Sequence, residues 1–172
     1  QSESIKEVKE KCKTLTTEID QLKQDKRNKT LRITGLPEKG VENVAARVAE
    51  LARTMNVDIK ETDIENAFRV GKKTGVAQNE PRLIIAIFSR QAAKKAFYMG
   101  RTKLKKYSAP VFINEDLTPA RSEPAMKARK MVKEKKAENT WTIDGAVFIK
   151  FANKDKPKRF ITIEELNSVA NE

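Results

Sequence analysis

Histidine is absent from this sequence, and with it go the commonest general base and the commonest zinc ligand. A single cysteine, Cys12, cannot close an internal disulfide. Aromatic residues make up only 6% of the chain, which leaves few rings for a large core or a stacking surface. No apolar run approaches the roughly 20 residues of a membrane-spanning helix, and the opening QSESIKEVKEK is charged where a signal peptide would be apolar. The expectation is a soluble intracellular protein, cytoplasmic with nuclear entry left open, with no membrane partner, no catalytic activity and no cofactor or metal. The segment VGKKTG lacks the first glycine of a phosphate loop and has Lys73 where Ser or Thr would hold magnesium. The acidic pairs Asp63 with Glu65 and Glu115 with Asp116 fit capping or strand ends better than metal binding.

Charge is what the sequence has in plenty. Lys and Arg number 36 against 24 Asp and Glu, a formal net charge of +12. Residues 29–108 carry seventeen basic against eight acidic side chains, whereas the flanking segments are close to balance. A basic field concentrated on one small domain points to a polyanionic partner, with RNA, DNA and anionic membrane as the candidates in that order.

Periodicity divides the chain into three segments and gives an α+β fold class. In residues 1–27, Ile5, Val8, Cys12, Leu15, Ile19 and Leu22 recur at alternating spacings of three and four, the seam of a parallel coiled-coil homo-oligomer. β-Branched a positions with leucine at d favour a dimer, and an amphipathic helix docked on its own domain is the alternative. Residues 28–117 read as strand, helix, strand, strand, helix, strand: TLRITGL, ENVAARVAELARTMN, IENAFRV, RLIIAIF, a helix capped by Ser89, and PVFINED. That order is the ferredoxin-like, split beta-alpha-beta layout used by RNA-recognition modules. Residues 118–172 read as a small α+β unit. Its prolines 119 and 124 delay the helix to about Ser122, Asp144-Gly145 turns a hairpin, and TIEE caps a last helix. Trp141 and Phe148 are expected in the small core of this unit, with base stacking as the alternative.

Taken together, NKTLRITGLPE, ENAFRVGKK, PRLIIAIFS, INEDLTPARSEPAMKARK and FIKF resemble the nucleic-acid chaperone encoded by the first open reading frame of LINE-type non-LTR retrotransposons, and the related baculovirus few-polyhedra (FP) proteins. The resemblance spans essentially the whole chain. It implies a coiled-coil homo-oligomer, trimeric in vertebrate LINE proteins, that coats single-stranded RNA in a ribonucleoprotein and helps strands anneal. It also implies that Arg32, Arg69, Arg82 and Arg129 occupy family arginine positions, the last one implicated in RNA contact. The FP branch implies the rival reading, a coiled-coil interaction protein whose basic surface is incidental.

RNA-recognition modules usually stack bases on rings of their first and third strands, where this chain offers Arg32 and aliphatic residues. Phosphate contact is therefore the expected mode. The expected binding groups are Arg32, Arg69, Lys72, Lys73 and Arg82, then Arg101, Lys103, Lys105 and Lys106, and in the third segment Lys127, Arg129, Lys130 and Lys133. About six neutralised phosphates on a single strand would give log affinity a slope near −4 against log salt, from roughly −0.7 per contact.

Overall fold

The computed structural model describes residues 2–73, 80–106 and 110–170, with the side chains of residues 105 and 106 outside the description. The chain forms two compact units where three segments were expected. Lys29–Asp116 is one, and Gln1–Asn28 joins Leu117–Glu172 in the other. No described helix is long and apolar enough to cross a membrane.

The first 24-residue helix, α1 (Ser2–Asp25), displays its apolar seam to solvent: Ile5, Val8, Leu15, Ile19 and Leu22 are all more than half exposed. Another side of the same helix is occupied. At about 100° per residue, Gln24 lies about 140° around the axis from Ile19. Gln24 is buried, and its Oε1 accepts from the backbone N–H of Thr118 at 3.0 Å.

In the unit Lys29–Asp116, β1 (Thr30–Thr34), α2 (Val44–Thr54), β2 (Ile64–Arg69), β3 (Ile84–Phe88), α3 (Gln91–Gly100) and β4 (Phe112–Glu115) follow in the order the periodicity implies. The strands form an antiparallel sheet ordered β2-β3-β1-β4. Alternation sends Leu31, Ile33, Ile84, Ala86, Phe88 and Ile113 inward, where they meet Val48, Leu51 and Met55 of α2 and Ala93 and Phe97 of α3. Asn43 caps α2, its side chain accepting from the N–H of Ala46 at 3.1 Å. Ser89 does not cap α3, because its hydroxyl donates to the Asp63 carbonyl and Arg90 takes the N-cap place. On α3, Ala96 is exposed, while Lys94 is buried in an ion pair with Glu115 at 2.5 Å.

The other unit places α4 (Pro119–Lys133) on a sheet of β5 (Asn139–Ile143), β6 (Ala146–Lys150) and β7 (Lys158–Phe160), closed by α5 (Ile163–Ala170). The helix begins at Pro119, three residues earlier than the prolines led us to expect. Thr118 is its N-cap and Pro119 stands at N1, where a missing N–H costs nothing. Buried Pro124 lies inside the helix and leaves the Ala120 carbonyl without its usual donor. The two-residue turn is as expected, with Ile143 facing Ala146 and both Asp144 and Gly145 at positive φ. At α5, the Thr162 hydroxyl accepts from Glu165 N–H, while the Glu165 carboxylate reaches back to the N–H of Ile161. Strand β7, only three residues long, was not foreseen. The core comprises Ala125, Ala128, Met131, Val147, Ile149, Phe160 and Leu166, and leaves out Trp141 and Phe148.

Candidate nucleic-acid interface

The loop after β1 is where expectation and structure part. Gly35 turns the chain at φ +84°, and a Cβ there would lie 2.1 Å from the Pro110 carbonyl oxygen. The chain then passes the ends of β2 and β3, and two arginines staple it down. Arg69, at the end of β2, has a side chain only 4% exposed. Its guanidinium donates to Glu42 at 2.8 Å and to the carbonyls of Leu36, Arg82 and Pro37 at 2.8, 2.8 and 3.2 Å. Arg82 grips Glu38 through Nε and Nη2 at 3.1 and 3.0 Å and donates to the Gly71 carbonyl at 2.9 Å. Lys73 donates to the Gly40 carbonyl at 2.6 Å.

These partners show in the acids. The hydrogen bonds from Arg82 hold Glu38 down at about 2, and the bond from Arg69 lowers Glu42. The Arg69 guanidinium, with all five N–H donors engaged, has little left for a phosphate, while Arg82 has three of its five engaged. Arg69 and Arg82, both expected to bind nucleic acid, are paired within the unit to Glu42, Glu38 and carbonyls of the loop between β1 and α2 and of neighbouring strand ends. Their positions beside the strand ends were legible; the answering glutamates, 27 and 44 residues distant in sequence, were not.

Arg32 differs. It stands on the sheet face away from the helices, its side chain is 44% exposed, and among the described residues it makes only a 3.5 Å pair with Asp116. Register sets Phe68, Ile85, Arg32 and Asn114 in one row across β2, β3, β1 and β4. Phe68 and Phe112, 42% and 60% exposed, are the rings of this face. The sequence reading sought rings on β1 and β3 and missed both, although the alternation in PVFINE already turns Phe112 away from Val111 and Ile113. Lys72 is exposed.

In the other unit, α4 turns Ala125, Ala128 and Met131 inward and leaves Arg129, Lys130 and Lys133 exposed. Arg129 and Lys133 have no ion pair among the described residues, and Lys130 has only a 3.8 Å contact with Glu134. Lys127 is half-buried and donates to Asn167. Beside them an open groove of about 810 Å³ runs past Met126, Met131, Phe151 and Val169, edged by Lys130 and Lys136.

The remaining sequence candidates are dispersed or employed. Arg101 lies 3.7 Å over the Tyr98 ring and donates to the Tyr98 carbonyl. Lys103 is exposed, whereas the side chains of Lys105 and Lys106 lie outside the described residues. Asp63 caps a 3-10 turn, accepting from the N–H of Lys60, the main cause of its lowered pKa, and pairs with Arg90. Glu115 is paired with Lys94. Among the described residues no cluster of acids and cysteine could hold a metal ion. No protein-family model matches this chain, and no curated protein matches it either.

Proposed function

We propose that this chain is an oligomeric single-stranded nucleic-acid-binding protein with strand-annealing activity, working without catalysis through phosphate contacts. In this reading the first unit is a ferredoxin-like, RNA-recognition-type domain, α1 is one strand of a parallel coiled coil, and the assembly is part of a retrotransposon ribonucleoprotein. Single-stranded RNA is the expected partner and single-stranded DNA the alternative.

The observation that carries the reading is the outer side of α4. Arg129, Lys130 and Lys133 point to solvent within four residues of one another, and among the described residues only Lys130 has a carboxylate nearby. Like charges at that spacing repel one another. A polyanion relieves the repulsion and releases its own counterions. The exposed seam of α1 supports the oligomer, since burying each Leu, Ile or Val contributes about 1.5–3 kcal/mol. Oligomerisation would multiply weak phosphate contacts into avidity, which annealing two strands requires.

A second reading has its own observation. The open sheet face carries Phe68, Ile85, Ile87 and Phe112, an apolar surface suited to a protein partner of the FP kind.

Strand annealing by the full chain, compared with a Val8→Asp, Leu15→Asp variant and an Arg129→Ala, Lys130→Ala, Lys133→Ala variant, separates the two. Our reading expects the wild type to speed annealing of complementary RNA strands and both variants to lose at least about tenfold of that effect. A wild type that neither binds nor anneals RNA at low salt would leave the protein-interaction reading.

A further inference from the structure

The unit containing α4 has a second surface that its core does not explain. On β6, Val147 and Ile149 face α4 and are fully buried, so Phe148 between them faces the other way. Register places Trp141 of β5 directly opposite Phe148, and Arg159 of β7 opposite it on the other side. The Trp141 and Phe148 rings stack, centroids 5.9 Å apart and planes within 5° of parallel. Both are half-buried, with part of each ring open to solvent. No hydrogen bond to another described residue holds the indole N–H of Trp141.

The surroundings are basic. Arg159 is exposed and has no ion pair among the described residues, and Lys150 follows on the same face as Phe148. Residues 139–160 hold five Lys and Arg against two Asp. Flat ring surface edged by the unpaired Arg159, with Lys150 nearby donating to the Lys154 carbonyl, matches the two faces of a single-stranded nucleotide, an aromatic base and an anionic phosphate.

We propose that Trp141 and Phe148 form a stacking platform for an unpaired nucleobase, with Arg159 receiving the adjoining phosphate. This rests on the single-strand-binding reading and adds to it a site and a mode of contact. Stacking on a π-face is tolerant of base identity but requires the base to be out of a duplex. The platform thus favours single strands over double strands, a discrimination that phosphate contacts alone do not make.

Trp141 is the chain's one tryptophan, so its fluorescence reports this site alone. The full chain is titrated with a labelled oligouridylate of about 12 nucleotides, a length within the usual range for such sites. Strand anisotropy measures total binding, and tryptophan emission measures stacking. We expect emission to fall by about half or more at saturation with the single strand and to stay unchanged with a duplex of equal length. Trp141→Leu should weaken binding about tenfold, and Trp141→Phe should stay within about twofold of wild type. Binding by anisotropy with unchanged Trp141 emission, or equal affinity for Trp141→Leu, overturns the platform and leaves phosphate binding standing. No binding by anisotropy overturns both.

Discussion

Arg69 and Arg82 separate a residue's type from its availability. Both are arginines beside strand ends in a basic domain, yet one is enclosed by Glu42 and three carbonyls and the other clasped by Glu38. Removing Arg69 strands a partly buried carboxylate and several acceptors, so Arg69→Ala should cost about 3 kcal/mol of stability in urea unfolding. Arg32→Ala, which loses only an exposed pair, should cost under about 1 kcal/mol. A reversed ranking would mean that the clamp does not order the loop. The pH dependence follows from Glu38. Its folded pKa, about 2, lies below its ordinary 4.5, so its contribution is complete above about pH 4.5 and fades as pH falls toward 2. Glu38→Gln should therefore flatten the acid limb of a stability-against-pH curve in that window and leave the remainder of its shape unchanged.

Among the elements, α1 has two distinct sides. Its seam is free, while Asp20, Gln21 and Gln24 hold the start of α4. Arg121, only 1% exposed, donates to Asp20 at 2.8 Å and to Gln21 at 2.7 Å, and the Thr118 hydroxyl donates to Asp20 at 2.5 Å. Deleting α1 would therefore orphan a buried arginine, whereas seam substitutions leave this latch intact. Val8→Asp with Leu15→Asp should give a monomer by light scattering with unchanged circular dichroism of the folded units. Gly145 tests the latch from its far side. At φ +80°, with Gln24 atoms 2.4 Å from where a Cβ would stand, Gly145→Ala should destabilise by about 1–3 kcal/mol in thermal unfolding. Strands and helices of regular period were legible in the sequence because alternation and three-four spacing are local. What escaped depends on partners distant in the chain: buried Lys94, paired with Glu115 21 residues on, short β7, held only by β6, and the docking of α1 on α4. Trp141 and Phe148 were assigned to the core because small units need aromatic residues there. Their place on the opposite sheet face is fixed by hairpin register, which becomes clear once Asp144-Gly145 is recognised as a two-residue turn.

At the scale of the whole molecule, the charge excess survives the loss of its two most structured arginines. With Arg69 and Arg82 set aside, residues 29–116 hold fifteen basic against ten acidic side chains, but the field is distributed and several of its members are engaged internally. The outer side of α4 is smaller and freer. With Arg69 and Arg82 withdrawn, about four phosphate contacts per chain replace the six expected from the sequence, and the expected salt slope falls from about −4 to about −3. The measurement that bears most directly on the central claim is the affinity of the full chain for single-stranded RNA across salt concentrations, beside the Arg129→Ala, Lys130→Ala, Lys133→Ala variant. The account predicts a slope near −3 for the wild type and near −1 for the variant, whose affinity drops most at low salt. An affinity indifferent to salt, or identical lines for the two proteins, would contradict it.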